Sequence, residues 1–187
     1  FVIETLDVNE VLEEMTDLLR VTISKKVEFQ LQFGDGPLLI EADATQVRQV
    51  MMNLITNASE AIGEQRGEVK IRTGLQQCSQ EFLDETFLNE DMAEGEYVFF
   101  EVCDTGCGMA AETLARIFDP FFTTKFTGRG LGMAAVLGIV RGHGGAIDIH
   151  TEEGRGSTFW VALPSAISGR KPIGEQYEVN VGRRSIL

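Results

Sequence analysis

Asp104 closes an apolar run, Tyr97 to Cys103, and is followed at once by Thr105-Gly106-Cys107-Gly108-Met109. A carboxylate carried to a strand tip, with no side-chain bulk beside it, suits a flat ligand that offers a hydrogen-bond donor. Glycine supplies the φ > 0 that such a tight return needs. The same string also suits a plain turn, because Asp and Gly are turn residues; only its sequence neighbours discriminate. Asn53 and Asn57 lie four apart, hence on one helix face, beside apolar Val50, Met51, Leu54 and Ala58. Two amides there need partners, since an unsatisfied buried amide costs about 1–3 kcal/mol. Backbone groups can satisfy them. So can magnesium, which accepts an Asn oxygen and takes its remaining ligands from water and phosphate.

Further along, Gly128, Gly130 and Gly132 run directly into a helical stretch that continues through Leu131 and Met133. Bare backbone N–H groups at a helix start form an anion site, and glycines also permit a lid to open and shut. Lys125 and Arg129 beside them read as phosphate partners in an otherwise acidic chain, or as solvated surface cations. The preceding Phe118-Asp119-Pro120-Phe121-Phe122-Thr123-Thr124 reads as a loop that anchors its phenylalanines on the sheet and closes over something. Gly154-Arg155-Gly156-Ser157-Thr158 reads as a hairpin turn, with the Thr158 hydroxyl aimed into a pocket beside Asp104. A dinucleotide fold does not fit. Its fingerprint needs Gly-x-Gly-x-x-Gly after a strand, whereas a loop precedes these glycines and their spacing differs.

The elements that must position these residues follow from periodicity. Val8, Val11, Leu12, Met15, Leu18 and Leu19 mark a helix over about 8 to 23. Val27, Phe29, Leu31 and Phe33 alternate as a strand should, and Gly34-Asp35-Gly36-Pro37 is expected to turn Leu38–Ile40 back on it as a hairpin. Asp43 with Gln46 forms a variant capping box for the asparagine helix, which Gly63 ends. Strands are predicted over 69–73, 97–103, 146–151 and 158–163, a short helix near 111–117 and a third long one over 131–140. The 97–103 strand is apolar on both faces. Residues 76–95, polar and acidic with Phe82, Leu83, Phe87 and Leu88, read as a partly helical surface insertion. Strands mixed with helices, without βαβ alternation, predict an α+β two-layer sandwich.

Composition narrows the function. The chain has 187 residues, and its net charge of −13 argues against nonspecific nucleic-acid binding. No apolar run or signal-peptide pattern suggests a membrane segment. An opening Phe1 reads as a fragment of a longer protein. Cys78, Cys103 and Cys107 have no metal-type spacing, and an odd count suits a reducing compartment.

In this order, Asn53-x3-Asn57-Ala58, Asp104-x-Gly106-x-Gly108-Met109, Phe118-x2-Phe121-Phe122, Gly128-x-Gly130-x-Gly132 and Gly154-x-Gly156-Ser157-Thr158 resemble the N, G1, F, G2 and G3 boxes of sensor histidine kinases. The resemblance covers about residues 3 to 164. It implies a Bergerat-type sandwich, shared with DNA gyrase, the ninety-kilodalton heat-shock chaperone and mismatch-repair ATPases: a mixed, mostly antiparallel sheet, three main helices on one face and a flexible ATP lid. It further implies a domain over 1–165 and a tail or linker over 166–187. Arg183-Arg184-Ser185-Ile186-Leu187 would then lead towards a receiver domain. In that family Asp104 would read adenine and Asn57, with Asn53, would serve Mg2+. Lys125, and Arg129 in place of the commoner Thr, would steady phosphates. Gly106, Gly108, Met109, Phe122, Thr123, Thr124, Gly130, Leu131, Gly132, Met133 and Thr158 would complete the ATP pocket. Asn53 sits where hydrolytic relatives carry a catalytic Glu, so the γ-phosphate would be kept for transfer. The implied partners are an upstream dimerisation domain bearing the acceptor histidine and a downstream response-regulator receiver. The fragment would be a monomer, its parent a homodimer, and this domain cytoplasmic. His143 and His150 lack the acceptor context and read as structural. A gyrase-type ATPase and a nonenzymatic nucleotide sensor are the alternatives.

Overall fold

The computed structural model describes residues 2–88, 92–125 and 128–167. Strand β1 (Glu4–Asp7) leads directly into helix α1 (Val8–Thr22), capped by the Asp7 carboxylate on the Asn9 N–H. Then come β2 (Val27–Gln32), β3 (Leu39–Ala42) and helix α2 (Ala44–Ile62). The Asp43 side chain caps α2 through the N–H groups of Thr45 and Gln46, and Gly63 ends it at φ 65. Asp43 also accepts from the Val2 N–H, which more than any other contact holds its carboxyl below the usual range.

Strand β4 (Gly67–Cys78), short helix α3 (Gln80–Glu85), β5 (Gly95–Asp104), α4 (Ala111–Leu114), α5 (Gly132–Gly142), β6 (Ala146–Glu152) and β7 (Gly156–Pro164) complete the order. The main sheet runs β2-β4-β5-β7-β6; β2 and β4 are parallel and every other pair is antiparallel. Helix α2 packs between α1 and α5 over the centre of this sheet. The expected mixed, mostly antiparallel sandwich is what forms.

The inner, helix-covered face holds the main core, including Leu12, Leu19, Met51, Leu54, Ile55, Ile71, Val102 and Ile147. Strand β5 alternates between two cores, as its near-continuous apolar run anticipates: Val98, Phe100 and Val102 face inward, while Tyr97 and Phe99 face outward. The outer cluster gathers Cys78, Leu83, Met92, Ala146, Trp160 and Ala162 under α3. Burial there pushes the Cys78 thiol up to about 12, which leaves it unreactive.

Two expectations need correction. Leu38–Ile40 does not fold back on β2; β3 pairs with β1, in the register Glu4↔Ala42 to Asp7↔Leu39. The Leu38 N–H reaches the Asp7 carboxylate and the Val8 N–H reaches the Leu38 carbonyl, so the incoming strand outcompetes the local hairpin. Residues 76–95 are not merely a surface insertion. Gln76–Cys78 continue β4, Gly95 begins β5, and Leu83, Leu88 and Met92 are buried. His143, read as structural, holds the inner layer together: its Nε2 accepts from the Asp43 N–H at 3.1 Å while Nδ1 lies 2.8 Å from the Ile139 carbonyl. The receiver-leading residues 183–187 lie outside the described residues.

Candidate functional site

The site forms where the inner end of β5 meets the C-terminal half of α2 and the loop into α5. Asp104 is 4% exposed. Its Oδ1 accepts from the Gly106 N–H at 2.8 Å, and the backbone of Ser157, its partner across the β5–β7 pairing, also favours the charged form. Burial pushes the carboxyl above its ordinary value, opposed by those two backbone groups and by the Lys125 ammonium. The acid is thus fixed and poorly solvated, a condition in which a ligand's donor counts for more than in water.

The turn after Asp104 is pinned on two sides. The Cys107 N–H donates to the Ala61 carbonyl near the end of α2, and the Cys107 carbonyl accepts from the Gly154 N–H at 2.7 Å. Met109 N–H donates to Thr151 Oγ1 at 2.9 Å, and Thr151 Oγ1 lies 2.9 Å from Ser157 Oγ. Glycine is required by this closeness. A Cβ on Gly106 would stand 2.6 Å from the Ala61 carbonyl carbon, and one on Gly108, at φ +64, would stand 2.0 Å from the Glu152 oxygen. Met109 and Met133 pack against the main core from this side.

Asn53 and Asn57 share one half-buried face of α2, as their spacing requires. Asn53 Nδ2 donates to the Gly132 carbonyl at 3.2 Å, which ties the helix to the first residue of α5. Lys125 Nζ donates to Asn57 Oδ1 at 3.1 Å and forms an ion pair with Glu60, one turn further on. A cation already rests on the α2 oxygens. That donor set, one amide and one carboxylate oxygen, fits a hard ion such as Mg2+ that completes its shell with water and phosphate. Among the described residues no group of three His, Cys, Asp or Glu side chains is placed to hold a metal.

The loop ahead of α5 is only partly anchored. Phe118 is buried against Phe87 and Phe122 lies under the Arg116 guanidinium, 4.4 Å from its ring centroid. Phe121 departs from expectation: it is 75% exposed and adopts φ +68. Its N–H donates to the Gly130 carbonyl, and a Cβ at Gly130 would stand 2.4 Å from the Phe121 carbonyl carbon. Thr123, Thr124, Arg129 and Leu131 are exposed along the rim. Nothing among the described contacts brings Arg129 to Asp104 or Asn57.

Thr158 is also misplaced by the sequence reading. It pairs with Cys103 and with His150, whereas Asp104 pairs with Ser157. Paired residues share a face and successive residues alternate, so Thr158 points outward. Ser157 is the buried hydroxyl beside Asp104. Ser157 and Thr151 join the site through the register of the hairpin, which no local pattern reveals, whereas Glu60 joins it from α2, three residues beyond Asn57.

An α+β sandwich with a buried acid at a strand end, a glycine-framed turn and a loop that carries Lys125 and Arg129 has the features of a nucleotide-binding domain. The family model described as Histidine kinase-, DNA gyrase B-, and HSP90-like ATPase matches residues 42–167, and the chain belongs to that family. Among curated proteins it is similar to Sensor kinase CckA of Brucella abortus (strain 2308), 38% identical over 171 residues, spanning 90% of this chain and 18% of that protein. It is also similar to Sensor histidine kinase ZraS of Escherichia coli (strain K12), 35% identical, spanning 92% of this chain and 33% of that protein. The chain therefore spans a third or less of these relatives. Its fold matches the catalytic domain of histidine kinase ThkA with a TM-score of 0.66 and 29% identity, over 88% of this chain and 97% of that one. ThkA has also been solved in complex with the response regulator protein TrrA. Full-length ShkA in complex with AMPPNP matches with a TM-score of 0.69 and 27% identity, over 89% of this chain and 32% of that one.

Proposed function

We propose that this chain is the ATP-binding catalytic domain of a sensor histidine kinase, which holds Mg-ATP and presents the γ-phosphate to a histidine on an upstream dimerisation domain. The observation that carries the reading is the meeting of Asp104, Asn57 and Lys125 with Asn53 in place of an acid. Asp104 accepts the adenine amino group. Asn57, with Glu60 beside it, would hold the magnesium, and Lys125, which rests on these oxygens, would serve the phosphates. A magnesium ion held there would supply neutralisation of phosphate charge. The Gly128–Gly132 segment offers its N–H groups to the same phosphates. An amide such as Asn53 cannot take a proton from water at neutral pH, and its hydrogen bond to Gly132 already commits it to positioning α5.

A response-regulator receiver then takes the phosphoryl group from the upstream histidine, by the likeness to ThkA. The ATP supply places the domain's work in the cytoplasm. No helix of the described residues is long and apolar enough to cross a membrane.

Two sets of variants test the site by calorimetric titration. Asn57→Ala is expected to weaken Mg-ATP binding at least about tenfold, the worth of one contact to a charged partner, while metal-free ATP loses less. An equal loss for both forms would remove the metal assignment. Ser157→Ala is expected to weaken binding and Thr158→Ala to leave it unchanged; the reverse order would overturn the register argument. Steady ATP hydrolysis by the chain alone, abolished by Asn53→Ala, would instead favour a gyrase-type ATPase.

A further inference from the structure

The segment between β4 and β5 belongs to none of the five motifs, yet it touches both faces of the sheet. Leu83 and Met92 are buried with Trp160 on the outer face, whereas Leu88 belongs to the inner core. Between them the chain crosses the edge formed by β6, the last strand of the sheet. The Leu88 N–H donates to the Ile147 carbonyl at 3.2 Å, an isolated antiparallel bridge that covers this edge. Thr86 locks the crossing: it is buried, and its hydroxyl lies 2.8 Å from the Leu83 carbonyl and 2.9 Å from that of Leu88.

Phe87 is held between these two fixed residues. Its ring meets that of Phe118 with centroids 4.8 Å apart and planes tilted by 54°. Phe118 is the buried residue from which the loop to Lys125 departs, and next to it Arg116 reaches both Asp119 and the Phe122 ring. The base of the lid thus rests partly on a residue from outside every nucleotide motif. Phe87 itself remains 44% exposed, so its ring fills no cavity in either core.

We propose that Phe87 is a positioning residue for the ATP lid. The segment clamps the β6 edge, Thr86 and Leu88 fix its course, and Phe87 props Phe118, which sets where the loop carrying Lys125 leaves the fold. This inference rests on reading the site as one for Mg-ATP.

The test combines amide hydrogen exchange over residues 119–125 without nucleotide, Mg-ATP affinity, and the fluorescence of Trp160, the single tryptophan, which reports the outer cluster. Phe87→Ala is expected to speed exchange of the loop and raise the Kd for Mg-ATP about three- to tenfold, the scale of one lost aromatic pair. Trp160 emission should not move, and Phe87→Tyr should restore both quantities. Unchanged loop exchange and affinity would overturn the proposal. So would changes that appear only together with a shift of Trp160 emission, because Phe87 would then serve the fold and not the lid. Exchange is read without ligand, so a wild-type chain that fails to bind Mg-ATP counts against the site reading alone.

Discussion

Asp104→Asn is expected to reduce ATP affinity at least about 100-fold, or ~2.7 kcal/mol, while leaving the fold intact. The carboxamide oxygen can still accept from the Gly106 N–H, so the turn keeps that anchor. It loses the charge, and it can turn a donor towards the donor of the adenine. The stability argument has a definite sign. Burial, the largest influence, raises the folded-state pKa of Asp104 above its unfolded value. The folded chain therefore favours the protonated acid, and the benefit, complete below the unfolded pKa, is lost as pH rises through the folded one. At neutral pH the charged Asp104 costs stability. The Asn variant should melt at the same temperature or higher, with the difference shrinking as the medium is acidified. Wild-type ATP affinity should fall as acid protonates Asp104, at a higher pH than an ordinary aspartate would require. Unaltered affinity in Asp104→Asn would remove the adenine assignment; a collapsed melting transition would remove the claim that this acid serves the ligand and not the fold.

Gly108→Ala carries the largest expected effect on stability. At φ +64 the new Cβ would meet Glu152 backbone atoms at 2.0 and 2.6 Å, and backbone cannot swing aside as a side chain can. The turn would have to separate from the β6–β7 hairpin and break the bond from Gly154 N–H to the Cys107 carbonyl. A loss of roughly 3 kcal/mol or more is expected, together with loss of nucleotide binding. Gly36→Ala is the control. Its φ is +73 but nothing lies within 4 Å of the added Cβ, so only the left-handed backbone is penalised, by about 1 kcal/mol. Urea midpoints of the two variants measure the difference. Equal losses would show that backbone conformation alone, and not close approach, fixes glycine at position 108.

What the chain disclosed in advance was local. Helix α2 starts at an Asp whose capping pattern is visible in four residues, ends at a glycine, and carries its apolar stripe between. The double-sided burial of β5 was visible in an apolar run that does not alternate. What stayed hidden was pairing. The Gly-Asp-Gly-Pro turn made a β2–β3 hairpin the shortest closure, yet a strand more than thirty residues earlier took β3, because Asp7 could also reach the Leu38 N–H. Thr158 and Ser157 differ by one position, and one position reverses the face; turn composition cannot decide which hydroxyl joins Asp104. Phe121 shows a third limit. Its left-handed backbone comes from the contact with Gly130, and a phenylalanine gives no hint of it. The role of residues 79–88 was invisible for a related reason: a segment that crosses a sheet edge has neither the helical nor the strand period throughout.

The central claim is transfer of the γ-phosphate, and the most direct measurement is labelling of the intact parent protein with γ-labelled ATP. The expected result is Mg2+-dependent label on a histidine upstream of Phe1, acid-labile and base-stable, absent from the Asp104→Asn protein and absent when the isolated chain is labelled alone. Release of labelled inorganic phosphate at a steady rate, with no label on any histidine of the intact protein, would contradict it.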